Sequence, residues 1–371
     1  MTKQSQSKTA TWKANDKTMN RKLHKLLLLL ILTLTVSFTL QACSLVPSGA
    51  ADSNCIHVYN WGSYIDPELL QKFTAETGIN VIYETFNSNE DLYVKLTNSS
   101  NRYDVIVPSD YMVERMIKEK LLYPLDYTLL PNSKYIDDKF KHAGYDVGNR
   151  YSQPFFWGTV GILYNPDLVS DPVTGWDILF NKKYKGNIIM LDSSRDNFMI
   201  ALRQRGFSAN STDLNELNLA KSDLMQQFPL VYAYLVDQAK DHMINEECAL
   251  AVLYSGDALD AIAENPKLRY FIPPNSNIWT DAMCIPKNAL NLKGAHAFIN
   301  FMLQPENMAA NAEEVGYAIP ASVAKKLLPA EVQKDQNAYP PLKTLEKLEN
   351  FRDIGSWQAI YDEYMQDIKN Q

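Results

Sequence analysis

The chain has 371 residues, of which 43 are acidic and 36 are basic, so its formal net charge is −7. An acidic chain is a poor candidate for binding nucleic acid or anionic lipid, and a reasonable one for attracting cations. The length suggests two domains, and the composition is typical of a globular protein. We therefore predict no nucleic-acid partner.

The first 42 residues are predicted to be an export signal that the mature protein lacks. Basic residues precede an apolar run from Leu26 to Leu40, and the run ends in LQACS, an order typical of secretion signals. The letters LQAC resemble a bacterial lipobox, which makes Cys43 the predicted lipidated first residue. An uncleaved signal anchor is the alternative, and Met19 is an alternative start. Without residues 1–42 the chain has 29 basic and 42 acidic residues, a formal charge of −13.

The mature chain is predicted to begin with a strand that turns into a helix. A short strand spans residues 56–59, and the helix that follows should be capped by Asp66 and ended by Gly78. Between the strand and the helix lie Trp61 and Tyr64, two large aromatic residues in a corner that should be accessible to solvent. Their position raises the question of what these aromatic faces contact.

The same strand-to-helix unit recurs along the chain. INVIYETF is predicted to be a strand, and SNEDLYVKL a helix that Ser88 caps. The segments YDVIVPSDYMVERMIKEKL, NIIMLDSSRDNFMIALRQRG and CALAVLYSGDALDAIAEN repeat the scheme. The runs DVIVP, NIIML and LAVLY are apolar on both faces, which suits parallel strands covered by helices on each side. We therefore predict an α/β protein with two doubly wound sheets.

Aromatic and acidic residues dominate the predicted corners. Open parallel sheets place ligands in the crevice beyond the carboxyl ends of their strands, so several corners should meet there. Helix capping would explain any one of the acids considered alone, and the aromatic residues could pack in a domain interface. Convergence on one crevice instead favours a ligand site. The corner residues are Trp61 and Tyr64, then Ser109, Asp110 and Tyr111, then Asp192 and Asp196, then Tyr254 and Asp257, and last Trp279 and Asp281.

A box of aromatic faces and carboxylates suits a flexible organic cation. Ammonium groups pair with carboxylates, and aromatic rings add a cation–π attraction of roughly 0.5 to 2 kcal/mol. The rings also cover methylenes at about 0.8 kcal/mol each, so a four-carbon chain contributes on the order of 3 kcal/mol. A diamine would use both contributions. Arg195 is the basic exception at these corners, and we predict that it turns away or anchors an acid.

Several segments resemble the periplasmic spermidine/putrescine-binding proteins of ABC importers, in the same order and over nearly all of the mature chain. They are VYNWGSYIDPELLQKFTAETGINVIYETFNSNEDLY, YDVIVPSDY, PFFWGTVGILYN, GDALDAIAE, IWTDAMCIPKNA, and INFMLQPENMA through VGYAIPA. The resemblance implies a two-lobed clamshell, with residues 56–157 plus 282–325 in the first lobe and 158–281 plus 326–371 in the second. It implies a non-enzymatic monomer that captures putrescine or spermidine and delivers it to a membrane permease. The protein would act in the periplasm or at the outer cell surface, held by the lipid at Cys43.

The resemblance also implies ligand-binding positions. Ser193 stands where spermidine-preferring members have an aspartate, and Phe351 where they have a glutamine. Asp257 stands where putrescine-selective members have an acid, so the pocket is a mixture of the two types. The implied ligand-binding residues are Trp61, Tyr64, Ser109, Tyr111, Asp196, Tyr254, Asp257, Trp279, Asp281 and Tyr317.

An enzyme, or the same clamshell with another cargo, is the alternative to a polyamine carrier. The sequence has no H-E-x-x-H, G-x-S-x-G or P-loop, and its five His residues are scattered singly, so we predict no cofactor, metal site or His-based nucleophile. Ferric iron would need a cluster of hard oxygen ligands rather than Trp faces. Cys55, Cys248 and Cys284 are odd in number, so at least one free thiol is expected, with Cys248 in the core.

Overall fold

The computed structural model describes residues 54–98, 102–141 and 143–371. The predicted signal segment 1–42 and the predicted lipidation site Cys43 lie outside these ranges. No helix in the described part of the chain combines the length and the apolarity that a membrane span requires.

The strands of the described residues form a mixed sheet with the order β2-β1-β3-β9-β4-β7-β5-β6, and β8 pairs with β4. They are β1 Cys55–Trp61, β2 Asn80–Phe86, β3 Val105–Ile106, β4 Ser152–Tyr164, β5 Ile188–Leu191, β6 Val231–Leu235, β7 Leu250–Tyr254, β8 Arg269–Phe271 and β9 Ile278–Cys284.

Helices connect and flank these strands. The α-helices are α1 Pro67–Thr77, α2 Asn89–Asn98, α3 Asp110–Lys118, α4 Ser194–Gln204, α5 Leu214–Gln227, α6 Gln238–Ile244, α7 Ser255–Glu264, α8 Leu292–Met302, α9 Pro305–Val315, α10 Ser322–Lys325, α11 Ala330–Lys334, α12 Leu342–Leu345 and α13 Trp357–Lys369. Short 3₁₀ helices span Tyr127–Leu129, Pro131–Tyr135, Asp138–Phe140, Trp176–Phe180, Lys182–Tyr184 and Phe228–Leu230.

The predicted helix signals are confirmed. The side chain of Asp66 accepts a hydrogen bond from the Glu68 amide at the start of α1, and Gly78 ends that helix with φ at 72°. Such a left-handed backbone favours glycine because a Cβ would be strained there. The hydroxyl of Ser88 accepts a bond of 3.1 Å from the Asp91 amide and so caps α2.

Two groups of parallel strands, one in each half of the chain, are joined by antiparallel strands. β1 runs parallel to β2 and β3, and β5 runs parallel to β6 and β7. The long strand β4 pairs antiparallel with β9 over residues 152–159 and with β7 over 160–164. The prediction of two separate doubly wound sheets is therefore corrected, because hydrogen bonds join the two groups of strands into one continuous sheet. The cause is β4, which is apolar, almost wholly buried and long enough to serve both groups.

An apolar core lies along both groups of strands. It includes Val58 and Val105 from the first group and Ile188 and Val252 from the second. All residues of β5 are buried, as are the first four of β7, which confirms that these apolar runs are covered on both faces. Cys248 and Cys284 are buried free thiols, which confirms the expectation of at least one.

Candidate ligand-binding site

The corners that follow β1, β3, β5 and β7 meet around a cavity of about 1000 Å³. Parallel strands within each group end at the same edge, which is why their corners converge. The cavity lining includes every residue that the sequence singled out as ligand-binding. These are Trp61, Tyr64, Ser109, Tyr111, Asp196, Tyr254, Asp257, Trp279, Asp281 and Tyr317.

Aromatic rings in edge-to-face contact form part of the wall. The ring centroid of Tyr317 lies 5.4 Å from that of Tyr64 and 5.3 Å from that of Trp279. The ring of Tyr254 lies 5.9 Å from Trp279 on the other side. Such pairs contribute roughly 0.5 to 1.5 kcal/mol beyond the area they bury. The rings therefore hold one another in place before any ligand arrives.

Gly158 and Gly256 allow two of these rings to lie against the backbone. A Cβ at Gly158 would sit 2.5 Å from the Trp279 ring, and one at Gly256 would sit 2.5 Å from the Tyr317 ring. Any larger residue would push the rings out of position. Sequence reasoning missed both glycines, because their role depends on contacts that are distant along the chain.

Asp281 lies on β9 and is 5% exposed. Burial raises the pKa of its carboxyl to about 7, while hydrogen bonding with Ser109 and with the Tyr64 hydroxyl acts to lower it. The Oδ1 atom of Asp281 and the hydroxyl of Tyr64 are both buried, and apart from each other neither has a hydrogen-bond partner among the described residues. Unpaired buried polar atoms are costly, so a ligand that pairs with them is strongly favoured.

Asp257 lies in the first turn of α7, and its Oδ2 accepts a hydrogen bond of 2.9 Å from the Tyr317 hydroxyl. Burial raises the pKa of Asp257 to about 6, although Tyr317 and Lys240 act to lower it. Asp257 lines the cavity, and its hydrogen bond goes to Tyr317 rather than to a backbone amide of its own helix.

The third corner separates a surface acid from a cavity acid. Asp192 forms an ion pair with Lys369 and is about half exposed. Ser193 is the residue that caps α4, because its side chain accepts from the Asp196 amide at 3.3 Å. Asp196 is buried, its Oδ2 accepts a bond of 3.1 Å from the Tyr254 hydroxyl, and burial raises its pKa.

Among the wall acids that are absent from the predicted ligand-binding residues, two have raised pKa values. Asp110 accepts a bond of 3.1 Å from Asn350, and burial raises its pKa to about 7. Glu90 accepts a bond of 3.1 Å from the Tyr111 hydroxyl, and burial raises its pKa. Asp110 was visible as a corner residue, whereas Glu90 lies in the first turn of α2, at the corner after β2, which the prediction did not count among the ligand-binding corners.

Arg195 does not turn away from the cavity, which was one of the two predicted alternatives. Its side chain is 3% exposed and lines the cavity, with the guanidinium centre 5.4 Å from the Tyr111 ring and 4.5 Å from the Phe351 ring. It donates to the Asn210 side chain at 2.8 Å and to a backbone carbonyl. Within the described ranges it forms no ion pair with an acid, but its charge acts to lower the pKa of Asp196 and of Glu90. The rings and these acceptors hold it on the cavity wall.

The site as a whole is suited to an organic cation. Its wall combines buried carboxylates with aromatic faces, and cations are attracted to both. In the described part of the chain, no group of three or more His, Cys, Asp and Glu side chains is arranged to hold a metal ion. The carboxylates with raised pKa values are Glu90, Asp110, Asp196, Asp257 and Asp281.

Known proteins that resemble this chain bind small solutes, including polyamines. Residues 68–340 match the family described as bacterial extracellular solute-binding protein. A spermidine/putrescine-binding periplasmic protein of Salmonella typhimurium is 38% identical over 324 residues, which cover 86% of this chain and 93% of that protein. A putrescine-binding periplasmic protein of Pseudomonas aeruginosa is 34% identical over 325 residues, covering 82% of this chain and 89% of that one.

Solved structures show the same likeness. A putative spermidine/putrescine ABC transporter protein from Listeria monocytogenes superposes with a TM-score of 0.83 at 43% identity, covering 85% of this chain and 99% of that chain. A spermidine/putrescine ABC transporter substrate-binding protein from Streptococcus pneumoniae superposes with a TM-score of 0.76 at 41% identity, with the same coverage.

Proposed function

Because this chain belongs to the family of bacterial extracellular solute-binding proteins, we propose that it captures putrescine or spermidine and delivers it to the membrane permease of an ABC importer. The matches confirm the resemblance and the two-lobed α/β fold expected from the sequence. The observation that carries the proposal is Asp281, a buried carboxylate without a cationic partner in the described structure, in the cavity that Tyr64 and Trp279 also line.

Each part of the wall has a role toward a linear polyamine. Asp281 and Asp257 bind terminal ammonium groups, since charge-assisted hydrogen bonds are the stronger kind. The rings of Trp61, Trp279 and Tyr317 cover the methylenes and attract the adjacent ammonium charge. No step in this scheme breaks a covalent bond, so the protein returns its ligand unchanged and catalyses nothing.

Ligand binding closes the two lobes in this proposal. Trp61 and Tyr111 follow strands of the first group, whereas Asp196 and Asp257 follow strands of the second. The lobes are residues 56–157 plus 282–325 and 158–281 plus 326–371. A ligand that touches both lobes makes all its contacts only when they are closed, so it shifts the equilibrium toward the closed state. Small-angle scattering should show a smaller radius with saturating putrescine, and an unchanged radius would contradict closure.

Calorimetry tests the ligand class. We expect putrescine, spermidine and cadaverine to bind in a 1:1 ratio and lysine to bind far more weakly, because its carboxylate would face buried acids. Mass spectrometry of the recovered ligand should show it unchanged. The proposed function is wrong if no polyamine gives heat, or if lysine binds equally well.

We propose that the protein is a lipoprotein of the periplasm or the outer cell surface, present as a monomer. Cys43 carries the lipid that holds it at the membrane. Cys43→Ala should leave the signal unprocessed or release the protein from the membrane fraction, since anchoring depends on the acyl chains. Cys55→Ala is the matched control and should stay anchored. Retention of the Cys43→Ala protein at the membrane would point instead to an uncleaved signal anchor.

A further inference from the structure

Ser109 precedes α3 at the position from which a serine usually caps a helix. Its backbone is extended there, with φ at −75° and ψ at 162°, but its side chain makes no capping hydrogen bond. By contrast, Ser88 precedes α2 and caps that helix with its hydroxyl. The Ser109 hydroxyl is therefore directed to a different partner.

Two hydrogen bonds join Ser109 to Asn89, the first residue of α2. The Ser109 backbone amide donates to Asn89 Oδ1 at 3.0 Å, and Asn89 Nδ2 donates to the Ser109 hydroxyl oxygen at 3.1 Å. A backbone amide can only donate, so these bonds determine which end of the Asn89 side chain faces which atom. Because Asn89 is also buried, the pair of bonds fixes the two residues to each other.

These bonds leave the hydrogen of the Ser109 hydroxyl free to be donated. A serine hydroxyl carries one hydrogen, and its oxygen already accepts from Asn89. Ser109 lies opposite Asp281 in an antiparallel bridge, and side chains that are opposite in such a pair lie close together. The next residue, Ala282, donates to the Pro108 carbonyl at 3.0 Å and strengthens this pairing. Burial disfavours the charged form of the Asp281 carboxylate, and hydrogen bonding with Ser109 favours it.

We propose that Asn89 is a positioning residue, which holds the Ser109 hydroxyl toward Asp281 and so keeps this carboxylate charged and oriented for an ammonium group of the ligand. This inference rests on the proposed function. Asn89 uses both ends of its side-chain amide on Ser109, so it acts through Ser109 rather than on the ligand. A carboxylate that is oriented before the ligand arrives reduces the cost of ordering the site on binding.

Asn89→Asp tests the direction of the hydroxyl in the full mature protein. The new carboxylate has nearly the same shape and still accepts from the Ser109 amide, but it has no hydrogen to donate, so it takes the hydroxyl hydrogen away from Asp281. Calorimetry should show that putrescine binds about tenfold more weakly, a loss typical of one hydrogen bond to a charged group. Stronger binding, as expected if the added negative charge simply attracts the ligand, would overturn the inference.

A double-mutant cycle tests whether Asn89 acts through Ser109. Asn89→Ala should weaken putrescine binding by about tenfold in the wild-type background and should cause no further loss in Ser109→Ala, because the same interaction is already missing there. Asn98→Ala, a change at the exposed end of α2, is the matched control and should leave the affinity unchanged. Equal losses in both backgrounds would show that Asn89 acts independently of Ser109 and would contradict the inference.

Proton release on binding separates this role from a purely structural one. Loss of the Ser109 hydrogen bond should raise the pKa of Asp281, so Asn89→Ala should release more protons than wild type when putrescine binds at about pH 7. Burial raises the pKa values of the tyrosines that face Asp281, which stay neutral, and Asp110 keeps its bonds from the Tyr111 amide and Asn350. The titratable groups of the described structure that interact with Asp281 through their charge are Tyr64, Asp110, Tyr145, Tyr254 and Tyr317.

Unchanged proton release in a folded Asn89→Ala protein would overturn the inference, even if putrescine binds more weakly. A wild type that binds no polyamine would instead refute the proposed function.

Discussion

Two acids on the same helix, one turn apart, have opposite surroundings. Glu114 faces away from the cavity, where Arg352 donates two bonds of 2.9 Å to it and Lys118 lies at 3.2 Å. Burial acts to raise the pKa of Glu114, but these bonds outweigh it and lower the pKa to about 2. Asp110 faces the cavity, and burial raises its pKa to about 7.

The difference separates acids that stabilise the fold from acids that await a ligand. An ion pair with two cations favours the charged carboxylate and outweighs the cost of its partial burial, with or without a ligand. A carboxylate buried without a cation destabilises the empty protein and favours any ligand that supplies the charge. Asp281 and Asp257 belong to the second class, and Asp110 shares their raised pKa although its two oxygens already accept hydrogen bonds from the Tyr111 amide and Asn350. This difference between the two classes of acid can be tested by replacing one carboxylate of each class and by changing the pH.

Removal of the Asp281 carboxylate should have the largest effect. In Asp281→Asn a bound ammonium stays desolvated and unpaired, so we expect a loss of about 2 to 5 kcal/mol in the binding of every polyamine. Calorimetry with putrescine and spermidine measures it. Asp223→Asn is the matched control, because Asp223 pairs with Arg205 outside the cavity and its loss should leave affinity unchanged. Wild-type polyamine affinity in Asp281→Asn would show that Asp281 does not bind the ligand.

Acid should weaken binding while the fold remains intact. The pKa values of Asp281 and Asp110 are raised to about 7 and that of Asp257 to about 6, so these groups become protonated as the pH falls from 8 to 5. A neutral carboxyl does not pair with an ammonium. We expect putrescine affinity to fall about tenfold or more between pH 8 and 5.5. Constant affinity across this range would show that these acids do not bind the ligand.

Removal of the Glu114 carboxylate should change stability rather than affinity. The pKa of Glu114 is lowered in the folded state, so its stabilisation is present above its unfolded value of 4.5 and is lost as the pH falls toward 2. Because Arg352 is half exposed, solvent reduces the contribution to about 1 kcal/mol. Urea unfolding of Glu114→Gln at neutral pH measures it. A large loss of putrescine affinity with unchanged stability would show that Glu114 serves ligand binding rather than the stability of the fold.

Local signals in the sequence predicted much of the fold and the site. The Asp66 cap, the Gly78 stop and the buried runs of β5 and β7 depend on neighbours along the chain, so the residues themselves indicate them. The joining of the parallel groups by β4 depends on pairing between distant segments. The positions of Glu90 and Arg195 depend on helix rotation and on rings from other elements, which no local pattern encodes.

Proton release on binding is the most direct test of the claim that the cavity acids lack a counter-charge until the ligand brings one. At about pH 7, Asp281 should be about half protonated in the empty protein, so putrescine should release about half a proton when it pairs with this carboxylate. Calorimetry at that pH in two buffers with different ionisation enthalpies gives this number. We predict a release close to half a proton for wild type. Tight binding with no proton released would contradict the account.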